Sequence, residues 1–229
     1  MPQDLKKRLS GIYRRLFSRF GRQRWWPGET PFEVMVGAIL TQNIAWTNVS
    51  RAIENLRRDG LLDPVLLDQV PLERLASLIR PSGYFNQKAK RLKTFVQYYL
   101  AVYSGDIRRF RRVPPGKLRE ELLALSGIGP ETADSILLYA AQKPVFVVDA
   151  YTRRILARHS FIPWEAPYSE IQALFMRYLP HKATLFNEYH ALIVALGKEL
   201  CRRTRPRCYQ CPLRRVGKLR LETSPDLLK

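Results

Sequence analysis

One short stretch constrains this chain more than any other: Leu125-Ser126-Gly127-Ile128-Gly129-Pro130-Glu131-Thr132-Ala133-Asp134. Two glycines one residue apart allow a tight reversal, because each can take a positive φ that other residues resist. Lys117 to Leu125 precedes the turn and an apolar run, Glu131 to Ala141, follows it, so the segment reads as helix, hairpin, helix. Backbone N–H groups left bare at such a turn form an anion site, and a phosphate is their natural occupant.

The rest of the chain repeats the helical signal. Leu9, Ile12, Tyr13, Leu16, Phe17 and Phe20 recur at helical spacing between basic residues. Thr30 is an N-cap with Pro31 at the first helical position, and Phe32 to Leu40 is apolar nearly all round, as in a buried helix. Further helices are predicted over Asn48 to Arg57, Leu72 to Ile79, Gln87 to Tyr103, Ala150 to His159, Ser169 to Tyr178 and Ala183 to Leu200. Turn chemistry separates them at Pro81-Ser82-Gly83, Pro114-Pro115-Gly116 and Pro163 to Pro167. No alternating run argues for a sheet, so the fold class is all-α.

Charge narrows the partner. Lys and Arg number 39 against 20 acidic residues, a formal net charge of +19. Such an excess suits a polyanion, because basic side chains gain affinity by releasing counterions from phosphates. No stretch approaches the roughly 20 apolar residues of a membrane span, and Met1 to Arg8 lacks the apolar core of a secretory signal. Three cysteines cannot all pair, which favours a reducing, intracellular setting, here cytoplasmic and nucleoid-associated.

Asp149 follows the apolar run Val145-Phe146-Val147-Val148 and precedes Ala150-Tyr151-Thr152. Locally it reads as a helix N-cap. Together with the hairpin it resembles the signature of the endonuclease III-like (HhH-GPD) DNA glycosylases. Trp25-Trp26-Pro27, Ala38-Ile39-Leu40-Thr41-Gln42-Asn43, the run Arg80 to Leu92, Glu131-x-Ala133-Asp134 and Val147-Val148-Asp149-x-Tyr151 occur in the same order in its 3-methyladenine DNA glycosylase III branch. The match spans about Trp25 to Lys198.

The resemblance implies a two-lobed fold with a cleft between the lobes: residues 1–30 with 145–229 in one, 31–144 in the other, the hairpin spanning 117–141. It implies a monomer acting on double-stranded DNA. Asp149 would be the catalytic carboxylate, stabilising positive charge on the sugar and orienting water. Glu131 occupies the position of the lyase lysine in bifunctional members. A carboxylate cannot form an imine, so strand cleavage by that route would be lost. Gly127, Gly129 and Thr132 would contact DNA, and Gln42 would fill the space of the flipped nucleotide. Trp25, Trp26, Pro27 and Trp46 would line the base pocket, where an indole face attracts a cationic alkylated purine. The expected reaction is hydrolytic excision of a damaged base, such as 3-methyladenine. A mismatch glycosylase removing thymine, uracil or adenine, and a non-catalytic hairpin module that only binds DNA, are the alternatives.

Cys201-x6-Cys208-x2-Cys211 resembles the iron–sulfur loop of endonuclease III-like enzymes, within a loop spanning 201–217, but the fourth position falls on Gly217. A [4Fe–4S] cluster with an incomplete ligand set, a three-iron form, zinc and an empty degenerate loop all stay open. Arg202, Arg203, Arg205 and Arg207 crowd the same loop and suit a phosphate backbone. His159, His181 and His190 show no ligand spacing and read as structural or exposed.

Overall fold

The computed structural model describes residues 2–23, 25 and 28–217. Among them there is no strand, and no helix is long and apolar enough to cross a membrane. The chain divides into two compact units: Met1–Trp25 with Pro144–Lys229, and Trp26–Lys143.

The Trp26–Lys143 unit is built around α2 (Pro31–Leu40), buried along almost its whole length. Its start is fixed by Thr30, whose hydroxyl accepts the Glu33 N–H at 3.1 Å, and by Pro31, whose φ is preset for a helix. Against it pack α3 (Trp46–Arg58), α6 (Phe85–Tyr103) and the second hairpin helix α9 (Pro130–Ser135), while α5 (Leu72–Leu78) packs on α6 and α3, and the first hairpin helix α8 (Pro115–Leu123) packs on α9. Two helices were not expected, α4 (Pro64–Gln69) and α7 (Ile107–Arg112). Each is too short for periodicity, and each starts at a capping aspartate, Asp63 and Asp106. Beyond α9 the chain widens into one π turn, Ile136–Ala140, wholly buried.

The other unit packs α1 (Pro2–Phe20) against α12 (Ala183–Glu199), with α10 (Ala150–Arg158) and α11 (Tyr168–Tyr178) beside them. Leu9, Ile12 and Leu16 form the buried stripe of α1, and the Tyr189 hydroxyl donates to the Leu9 carbonyl at 2.8 Å. Phe146 stacks on Phe175 at 3.6 Å, anchoring the extended segment before Asp149 in the core. Gly197 lets α12 approach α10: a Cβ there would come within 2.7 Å of Tyr151 Cγ. That approach sets the distance between Asp149 and the side chains of α12.

Candidate functional site

Asp149 is the N-cap of α10, and its Oδ1 accepts the Thr152 N–H at 2.7 Å. The local reading and the functional one therefore use the same geometry, and the cap fixes the carboxylate's orientation. Its Oδ2 faces His190 Nε2 of α12 at 3.5 Å, and the Asp149 side chain keeps only 13% of its exposure. Burial pushes the Asp149 pKa up, but the His190 charge and the hydrogen bonds from His190 and Thr152 outweigh it and hold the carboxyl below the usual aspartate range. The result is an ionised carboxylate in a water-poor setting, suited to stabilising a developing cation. Nothing in the sequence pairs His190 with Asp149; only the packing of α10 on α12 does.

The hairpin forms a second constellation in its own unit. Arg119 of α8 and Asp134 of α9 make a two-pronged ion pair, 2.7 and 3.2 Å, that fixes the two helices. Gly127 has φ +82, as expected, whereas Gly129 departs from expectation with φ −90 and ψ 176. The reason is Pro130: the residue before a proline is pushed to extended backbone. The Arg91 stem lies over Gly127, where a Cβ would sit 2.6 Å from Arg91 Cδ.

Gln42 is tied down rather than projecting freely. Its Nε2 donates to the Gly127 carbonyl and the Thr132 hydroxyl, both at 2.9 Å, and Arg91 donates to its Oε1. Thr132 is buried, so its hydroxyl braces Gln42 in this conformation. Glu131 is exposed in the first turn of α9.

Sequence reasoning missed Tyr84. It is 70% exposed with φ +47, and follows Gly83, which also has positive φ. A bulky residue in the left-handed region at a surface tip is strained, and such strain collects at functional sites. The neighbouring Gln42 loop carries a similar outlier, Asn43 at φ +56. Lys88 ties the two loops together. Its ammonium, 1% exposed, donates to the Leu40 carbonyl at 2.8 Å and the Ser82 carbonyl at 2.6 Å. Burial, and the nearby Arg91 charge, lower its pKa to about 8.

Trp25 is half-buried, and the exposed Lys198 holds its ammonium 5.3 Å from the Trp25 ring centroid. Trp46 begins α3 and is half-buried; Trp26 and Pro27 lie outside the described residues. In the cysteine loop Arg202, Arg203, Arg205 and Arg207 are all exposed, whereas Cys201 and Cys211 are buried and Cys208 is half-buried. Burial raises the pKa of Cys208, and raises that of Cys211 to about 11. The three thiols line a common cavity with Arg158, His159 and Arg214. Among the described residues no group of three or more His, Cys, Asp or Glu side chains is placed to hold a metal ion. Three thiols lining one cavity are the donor type that an iron–sulfur cluster takes. His159 is therefore part of the cysteine region, which its sequence spacing did not indicate.

The HhH-GPD superfamily base excision DNA repair profile matches residues 36–181. A Methanocaldococcus jannaschii protein described as a candidate DNA repair glycosylase, MJ1434, is 46% identical over 216 residues, covering 93% of this chain and 97% of its own length. The structure of Helicobacter pylori 3-methyladenine DNA glycosylase, MagIII, bound to 1,N6-ethenoadenine, is similar with a TM-score of 0.72 at 30% identity, over 86% of this chain and 97% of that one. A non-covalent endonuclease III–DNA complex shares the fold, with a TM-score of 0.80 at 23% identity, over 98% of this chain and 99% of that one.

Proposed function

This chain belongs to the HhH-GPD superfamily of base excision DNA glycosylases, and from that premise we propose that it excises a damaged base from duplex DNA by hydrolysis alone. The observation that carries the reading is Asp149: a largely buried carboxylate, oriented by the Thr152 N–H and kept ionised by His190. As the N-glycosidic bond breaks, its electron pair leaves with the base and C1′ becomes cationic. Asp149 stabilises that charge, and water adds at C1′ while its spare proton passes to solvent. Glu131 stands where bifunctional relatives carry lysine, so no imine forms there and the strand stays intact.

The hairpin turn at Gly127 and Gly129 and the exposed arginines of the cysteine loop meet phosphates and set position rather than sequence. Tyr84 offers an exposed ring for base stacking. Gln42 enters the gap left by the flipped nucleotide only after it releases the hairpin, which couples its movement to DNA contact. If an iron–sulfur cluster is bound, Cys201, Cys208 and Cys211 hold it, and its contribution is to order the basic loop.

For the base we propose an alkylated purine, supported by the likeness to MagIII and by the tryptophans. One observation favours a second reading. Lys198 already holds an ammonium against Trp25, and a like charge there disfavours a cationic base and favours a neutral one such as uracil or thymine. Incubating the protein with duplexes carrying methylated purines, ethenoadenine, or uracil and thymine opposite guanine separates the two. Release of methylated purines, with strand breaks only after hot alkali, supports the first reading. Release confined to mismatched pyrimidines replaces it with the second, and breaks before alkali overturn the hydrolytic mechanism.

A further inference from the structure

The cysteine loop offers three thiols and, at the fourth position by spacing, Gly217. We propose that His159 is the fourth ligand of an iron–sulfur cluster held by Cys201, Cys208 and Cys211. Gly217, the fourth position by spacing, cannot serve. It carries no ligand atom, it sits at φ +74, and a Cβ there would run into the His159 carbonyl oxygen. The residue packed against that position is His159 itself, at the C-terminus of α10.

His159 is 3% exposed and lines the cavity that the three thiols line. Its Nδ1 lies 2.7 Å from the Val216 carbonyl oxygen. A carbonyl only accepts, so Nδ1 carries the proton and Nε2 keeps a lone pair. Metal-ligating histidines are commonly fixed this way, with the second ring nitrogen donating to a carbonyl or carboxylate. Among the described residues, none hydrogen-bonds Nε2.

Arg158 fits the same assignment. It is 3% exposed, its guanidinium lies 3.4 Å from Cys201 Sγ, and it donates to the carbonyls of Arg202 and Arg203 at 2.7 and 3.0 Å. A permanent cation buried against a thiol needs negative charge nearby. Three thiolates and a neutral imidazole around a doubly positive [4Fe–4S] core leave one negative charge, which Arg158 balances.

The test uses the full chain, expressed with iron and purified without oxygen, wild type beside His159→Cys and His159→Ala. Iron and acid-labile sulfide are counted, and the reduced cluster is examined by electron–nuclear double resonance on protein labelled with 15N-histidine. The expected result is about four irons per chain. A strongly coupled histidine nitrogen appears in the wild type, and His159→Cys keeps the iron, loses that coupling and shifts to a lower reduction potential. His159→Ala drops to a three-iron form or loses its iron. The proposal is overturned by wild-type protein holding zinc or no metal, by a cluster without nitrogen coupling, or by coupling that survives in His159→Cys. If neither variant folds, the wild-type labelling decides alone. None of these readouts depends on base release, so failure here leaves the glycosylase reading untouched.

Discussion

Gly127→Ala probes the hairpin at the point where backbone conformation and side-chain packing meet. At φ +82 an L-residue costs about 1–2 kcal/mol. The new methyl also falls on the Arg91 stem, 2.6 Å from Cδ and 2.7 Å from Cγ, too close for the arginine to remain. Moving Arg91 gives up its hydrogen bond to Gln42 and its packing over the turn, about 1–2 kcal/mol more. The single variant should therefore lose about 2–4 kcal/mol, a fall in Tm of roughly 4–16 °C for a chain of this size. The backbone and packing costs separate in a double-mutant cycle. An Arg91→Ala background removes the three atoms nearest the methyl, so Gly127→Ala should cost little beyond the backbone share, and the cycle should show coupling of about 1–2 kcal/mol. The assay is urea unfolding of all four proteins, with duplex affinity measured alongside. Additive costs would refute the reasoning, because they would mean that Arg91 does not rest on Gly127.

Three further expectations follow from single residues. Asp149 has a lowered pKa, so the stabilisation tied to its charge is present at neutral pH and is lost only as pH falls through that depressed value; single-turnover base release should stay flat well into the acid range. His190→Gln, which removes the imidazole facing the carboxylate, should move the acid limb upward, and an unmoved limb would contradict the pairing. Lys88 should titrate near pH 8 when folded and near 10.5 when unfolded. Between those values the unfolded state binds the extra proton, so stability relative to Lys88→Met should rise with pH by up to about 3 kcal/mol, and a flat difference would deny the burial penalty. Glu131→Lys should yield a borohydride-trappable adduct with damaged duplex that the wild type does not form. Absence of the adduct would show that position 131 does not reach the sugar.

Much of the fold was legible because its signals are local. Thr30 with Pro31 marked the start of the buried helix, the glycine turn marked the hairpin, and the apolar run before Asp149 marked buried chain. The helices at Pro64–Gln69 and Ile107–Arg112 were missed because six residues show less than two turns of periodicity, although Asp63 and Asp106 stood as caps. The site was legible in part. Asp149 could be singled out, but His190 reaches it only because Gly197 lets two helices close, and nothing near His190 in sequence reports that. His159 was set aside for want of ligand spacing, yet the chain brings it to the cysteines from another element. Tyr84 and Lys88 lay within the run that carries the resemblance, but no role was read for either, for a different reason. Backbone strain at a tip, and a lysine buried against two carbonyls, are properties of conformation rather than of composition.

The central claim is that Asp149 performs the chemistry while other residues hold the DNA. The most direct test compares wild type and Asp149→Asn on one damaged duplex, measuring single-turnover base release and equilibrium affinity on the same preparations. The account predicts that release is abolished in Asp149→Asn while affinity stays within a few-fold of wild type. Release that survives the substitution, or an affinity that collapses with it, would contradict the assignment.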